Sequence, residues 1–219
     1  MARVKKNAIH GAAGQLVYRT VNGKVIASAK PSKYKKSKSR ALLSNRKKFS
    51  YAGSLAKEIK EEPILFAAWE QYSKGESNSH NSIMSNNIQL STDAGLTVSN
   101  IIVPPSKYNL IKDISLIDNS INLSIELFEN YHAIVLDKQL RVCLLFTGLN
   151  STYETQYKTL EEIIISKEED NISAISINLN SALLDFIGQY ENVILYAAAI
   201  WTFISPHKLC WSSSFAKKI

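Results

Sequence analysis

Apolar and polar residues alternate along 15–20 and 24–29, on either side of Asn22-Gly23, a dipeptide that accepts the positive φ angles of a type I′ turn. The pattern predicts a β-hairpin closed by Pro31. Two strands alone are marginal in water, so this hairpin is expected to need a further sheet or a partner subunit. Gly11-Ala-Ala-Gly14 reads as a flexible lead-in. From Ser39 the apolar spacing becomes helical, with Leu42, Leu43, Phe49, Leu55 and Ile59 in one amphipathic stretch that Pro63 must stop or restart. Leu65, Trp69 and Tyr72 stand at i, i+4 and i+7 and predict a second short helix. The polar run 75–81 ends it. A third helix is expected over 82–89, where several Asn lower the propensity.

After Ser91 the texture changes to short β-rich runs at 96–103, 114–116, 121–126, 131–137, 139–147, 172–179 and 192–203, and 211–217 adds an eighth, edge strand. Pro-Pro, Asp-Asn, Asp-Lys and Glu-rich turns separate them, which predicts a sandwich. Residues 181–190 read as a loop or one helical turn crossing its end. Residues 193–198 are apolar on both alternating faces. Such a strand must lie centrally or be covered on its outer side, and the helix bearing Leu65, Trp69 and Tyr72 is the expected cover. The fold class is therefore mainly β within α+β, divided as a basic hairpin arm at 1–40, a helical segment at 41–91 and a sandwich at 92–219. No period of 20–50 residues recurs, which argues against solenoids and propellers.

Charge sharpens this division. The net charge of +7 hides two opposite segments: residues 1–60 hold 16 Lys and Arg against the single acid Glu58, a net +15, while 61–219 hold 10 against 18, a net −8. An opening without carboxylates cannot neutralise itself locally and must meet an acidic neighbour or phosphates. The cations expected to touch a partner are Lys30, Lys33, Lys35, Lys36, Lys38, Arg40, Arg46, Lys47 and Lys48. Tyr18, Tyr34 and Tyr51 are interleaved with Lys and Arg, a mixture that suits phosphate contact with base stacking and equally suits an assembly arm.

Other chemistry is sparse. His10, His80, His132 and His207 lie in separate segments without ligand spacing, and no phosphate loop, nucleophile elbow or dinucleotide fingerprint occurs, so no metal, cofactor or catalytic residue is expected. Glu161-Glu162 and Glu168-Glu169-Asp170 flank Ile163 to Ile165 in what reads as a solvated acidic connection, able to dock another copy's basic arm. Tyr196, Trp201 and Phe203 read as packing of a central strand rather than a stacking shelf. Asn-X-Ser/Thr triplets at Asn122, Asn150 and Asn171 mean little without export. The opening lacks the unbroken apolar region of a Sec signal, and the longest apolar run, 193–204, is shorter than the roughly 20 residues a membrane helix needs. No membrane span is expected. Cys143 and Cys210, far apart in apolar surroundings, are expected to be buried thiols.

The stretch GQLVYRTVNGKVIASAKP, the Lys/Arg-Ser run after it, a helix with Arg46 and Phe49, and the closing LYAAAIW and KLCWSSSFAKKI together resemble an uncharacterised family of Bacteroidetes genomes and their phages. The resemblance spans most of the chain. It implies an immunoglobulin-like sandwich behind a basic opening, a structural or surface role often in a mobile-element setting, and no known enzyme activity. The expectation is a non-enzymatic assembly protein, a phage virion or similar particle component held to other subunits by its basic arm, located in a virion or the cytoplasm. The alternative is a nucleic-acid-binding protein that uses the same arm on phosphates.

Overall fold

The structure, a computed structural model, describes residues 3–5, 8–13, 15–21, 24–30, 39–73, 78–127, 139–149, 155–165, 174–203 and 208–219. The chain divides into two compact units, Met1–Ser39 and Arg40–Ile219. The first is an antiparallel meander of β1 (Arg3–Lys5), β2 (Ala8–Ala13), β3 (Leu16–Val21) and β4 (Lys24–Ala29), in that spatial order. The expected hairpin is β3–β4, paired from Leu16↔Ala29 to Val21↔Lys24, and the Lys30 N–H closes it onto the Gln15 carbonyl at 2.6 Å. Its Asn22-Gly23 turn lies outside the described residues. The further strands it needs come from its own chain: residues 11–13 of the stretch read as a lead-in belong to β2, with Gly11 opposite Tyr18 and Ala12 opposite Val17, and Gly14 lies outside the described residues. Small residues suit this position because they do not obstruct a close strand neighbour.

The second unit opens with three helices, α1 (Arg40–Glu61), α2 (Pro63–Tyr72) and α3 (Ser79–Ile88). Pro63 restarts the helix at a first-turn position, where its missing N–H costs nothing. Asn78 caps α3 by accepting the His80 N–H at 2.9 Å, which offsets the poor propensity of the Asn-rich segment. The strands that follow are β5 (Ile111–Ile117), β6 (Ser120–Ile125), β7 (Gln139–Leu149), β8 (Thr155–Ile165), β9 (Ala174–Asn178), β10 (Val193–Thr202), β11 (Leu209–Trp211) and β12 (Phe215–Lys218). They form two antiparallel sheets, β5-β6-β9 and β8-β7-β10, the latter completed by β11 and β12 along the outer edge of β10. The β5–β6 turn carries Asp118 and Asn119 at φ 46° and 66°, as a type I′ hairpin demands.

β10 organises the unit. Val193, Leu195, Ala197, Ala199 and Trp201 enter a core shared with Ile114, Ile121, Leu123 and Ile177 of the three-stranded sheet and with Leu183 and Phe186 of α4 (Ser181–Gln189). Tyr196, Ala198 and Ile200 enter a second core with Leu55, Ile59, Leu65, Trp69 and Ile83 of the helices. The expected helix cover is present, and Trp69 is completely buried. Tyr72 departs from the expectation: it is 49% exposed near the end of α2. Helices, five-stranded sheet and three-stranded sheet thus form three layers, with the segments 41–91 and 92–219 in one compact unit.

Three further expectations are corrected. Residues 96–103 form no strand, because their polar backbone is satisfied by side chains instead of a ladder: Thr97 N–H donates to Asn100 Oδ1, Ile101 N–H to Asn87 Oδ1, and the Ile102 and Val103 N–H groups to Ser214 Oγ. Residues 181–189 form the complete helix α4, capped by Asn180 through the Leu183 N–H. Glu161, Glu162 and 163–165 are not in a connection. They belong to β8, opposite Cys143, Val142 and Arg141 to Gln139. Among the described residues β8 ends the sheet, and an edge strand tolerates charged residues that do not read as a strand in sequence. The expected strand at 131–137 and the acids 168–170 lie outside the described residues.

Candidate functional site

The cations expected to meet a partner are only partly placed. Lys30 is exposed after β4, while Lys33, Lys35, Lys36 and Lys38 lie outside the described residues. Arg40, Arg46 and Lys47 are exposed and Lys48 is half-exposed, all on the first half of α1. This 22-residue helix is about 33 Å long at 1.5 Å per residue. From Tyr51 it buries Tyr51, Ala52, Leu55, Ala56 and Ile59, whereas residues 40–50 bury none. The packed half holds up the unpacked half, since a helical nucleus already exists and each added residue gains a hydrogen bond.

Two apolar residues share this displayed half. Leu43 and Phe49, expected on the amphipathic side of the helix, are 44% and 57% exposed. At 100° per residue, Leu43, Arg46 and Lys47 lie on the side away from Leu55 and Ile59. Arg40 places positive charge in a first turn that has no acid, where the backbone dipoles already present their positive end. The helix does not gain stability from that placement. Tyr51 is 6% exposed and built into the core, so it is removed from any stacking surface. Tyr18 is half-buried on β3, and Tyr34 lies outside the described residues.

The opposite end of α1 mixes Lys57 and Lys60 with Glu58 and Glu61. Burial, reinforced by Glu61 and Glu62 and opposed by Lys57, raises the Glu58 carboxyl above the usual carboxylate range. Glu62 accepts a hydrogen bond from the Thr159 hydroxyl of β8. Tyr157, next along β8, has its phenol pushed well up by burial.

The remaining candidates resolve into packing. Compared with known proteins, the chain matches no family model, no curated protein and no solved structure. Tyr196 and Trp201 face opposite cores and cannot form one shelf; burial raises the Tyr196 phenol, which donates to the Thr97 carbonyl at 2.6 Å. Cys143 is a buried thiol; Cys210 is half-buried, and burial pushes its thiol up against the opposing influence of Lys208 and Lys107. Among the described residues no three His, Cys, Asp or Glu gather as metal ligands, and no helix is long and apolar enough to cross a membrane. His80 is half-exposed, and His132 and His207 lie outside the described residues.

The edge strand expected over 211–217 is present, but its interruption was not anticipated. β11 and β12 are one edge strand interrupted by an extra residue, since Ile200 pairs with Trp211 and Ala197 with Phe215. Within this bulge Ser212 Oγ accepts the Ala199 N–H, Ser214 Oγ accepts Ile102 and Val103, and the Ser213 N–H reaches the Tyr108 carbonyl. Trp211 Nε1 donates to the Pro104 carbonyl, and Ser106 Oγ donates to the Trp211 carbonyl. Ser213 and Ser214 fasten 102–108 to the sheet, and Ser212 ties the bulge to β10. Their clustering was the available signal, but the partners of Ser213 and Ser214 lie more than 100 residues away.

Proposed function

We propose that the chain is a non-enzymatic structural protein, a component of a phage virion or similar particle, anchored to neighbouring subunits by its basic N-terminal segment. The observation that carries this reading is the displayed half of α1: eleven residues, 40–50, none of them fully buried, combine Arg40, Arg46 and Lys47 with exposed Leu43 and Phe49. Cations alone would suit phosphates. Large apolar side chains between them gain most when a protein surface removes them from water, with an acidic rim meeting the charges. The wholly exposed strand β4, with Val25 and Ile26 in it, adds an edge for strand addition to a neighbour. The particle setting rests on the family resemblance of the opening hairpin and closing strand.

Within the body, the strand order supports an immunoglobulin-like sandwich as the finer fold reading. The order β5-β6-β9 against β8-β7-β10 with β11 and β12 corresponds to strands A-B-E against C′-C-F-G, and α4 occupies the E–F corner. The helical layer on the outer face of the larger sheet is an addition to that plan.

Gradient-purified particles from producing cells test the assembly reading by mass spectrometry. The wild-type chain is expected at fixed stoichiometry with the particle proteins, and the combined variant Leu43→Ser, Arg46→Glu, Lys47→Glu is expected in the soluble fraction. Absence of the wild-type chain from particles, with DNA or RNA binding whose affinity falls steeply with salt, would establish the nucleic-acid alternative instead.

A further inference from the structure

We propose that a cavity at one end of the five-stranded sheet binds a small amphipathic anion, a carboxylate carrying a short apolar chain. The cavity measures about 360 Å³ and opens among the ends of β7, β8, β10 and β12 and the connection 92–96. That size is typical of small-ligand sites. Its wall is preformed. Gly95 holds φ 146°, a backbone region that side chains disfavour, and its carbonyl accepts both the Thr92 N–H at 2.9 Å and the Thr92 hydroxyl at 3.1 Å. A Cβ at Gly95 would meet Leu149 at 3.7 Å. The other walls are strand ends fixed in the ladder, such as Gly148 opposite Val193 and Leu149 opposite Thr155.

The lining selects charge and shape together. Among the described residues its lining contains no carboxylate. Lys218 Nζ donates to Asn192 Oδ1, which leaves an ammonium with two further donors beside the Asn192 NH₂ group. Thr155 adds a hydroxyl to the lining, on the same strand as the Tyr157 phenol that it neighbours. The Thr147 hydroxyl is already engaged with the Ile194 carbonyl. The spare donors of Lys218 and Asn192 therefore stand together without a carboxylate among the described lining residues, and an anion completes them. Leu96, Leu149 and Ile194 supply an apolar wall that inorganic phosphate would leave unused and a short hydrocarbon chain would cover.

The site is independent of the basic segment, and its test leaves the assembly reading untouched. The full-length ¹⁵N-labelled chain is titrated with hexanoate, with hexanol and inorganic phosphate as separate probes. Hexanoate is expected to produce saturable shifts in the amides of 92–96, 147–149 and 192–195 with a Kd on the order of 1 mM, the range open to a ligand of few atoms. Hexanol lacks the charge and phosphate lacks the chain, so each is expected to bind at least about tenfold more weakly. Lys218→Met, at an exposed position, is expected to weaken hexanoate by about tenfold without moving the unfolding midpoint, and Thr155→Val by a smaller factor. No saturable shift with hexanoate, or equal affinity in Lys218→Met, overturns the proposal.

Discussion

Glu58 illustrates how one residue carries the conflict between charge and burial. Its carboxyl is raised by desolvation first and by Glu61 and Glu62 next, so the folded protein holds this proton more tightly than the unfolded chain does. The resulting stability is present below the unfolded pKa and is lost as pH rises through the folded value. Glu58→Gln removes that loss. Its unfolding midpoint is expected to exceed the wild type at neutral pH, by a margin that shrinks toward the ordinary carboxylate range; thermal melts across pH would sink the idea if the margin were constant. Gly148 is a steric counterpart, because a Cβ there would lie 2.5 Å from Cδ2 of Tyr190. Tyr190 also packs on Phe186, with ring centroids 4.9 Å apart, so it has little room to move. Gly148→Ala is expected to cost about 1–3 kcal/mol in chemical denaturation.

Among the elements, α2 and β10 share the helix-side core. Trp69 packs among Tyr196, Ala198 and Ile200 and donates its indole N–H to the Ile102 carbonyl at 2.9 Å. Trp201, on the opposite face of β10, reports on the core between the sheets, with Tyr108 at 5.3 Å between ring centroids. Trp69→Ala is expected to destabilise by on the order of 3 kcal/mol and to lower the midpoint seen by Trp201 fluorescence and helix circular dichroism together. Separate midpoints would mean that the helical layer unfolds on its own. β8 teaches a different lesson about elements. Its Thr-Gln-Tyr-Lys-Thr-Leu-Glu-Glu sequence lacks clear apolar alternation, and pairing with β7 makes it a strand, the last of its sheet among the described residues.

For the whole molecule, the decisive property is the separation of a +15 opening from a −8 remainder. At low ionic strength this charge split acts over about 30 Å, and at physiological salt over about 8 Å. The displayed cations make no contribution to the core, so Arg46→Glu with Lys47→Glu is expected to change folding stability by within about 0.5 kcal/mol. The same variant is expected to lose particle association. Equal retention of mutant and wild type in particles would remove this half of α1 from the anchoring surface.

What was legible in the amino-acid pattern was local: the β3–β4 hairpin from alternation about Asn22-Gly23, the helices from 3.6-residue spacing and Pro63, the two-faced apolar β10, and the charge split. Each depends on residues near one another in the chain. The helix cover over β10 was also anticipated, because an apolar strand face needs a partner and α2 offered a matching one. Tertiary structure alone decided that Leu43 and Phe49 face solvent while Tyr51 is buried, since an amphipathic helix shows which side is apolar but not where its neighbour ends. It likewise decided that 96–103 is held by Asn87, Asn100 and Ser214 rather than by a ladder, and that strand ends from four elements enclose a donor-rich cavity. Those outcomes depend on which distant groups meet once the sheets close, and backbone hydrogen bonds accept whichever partner arrives with the right geometry.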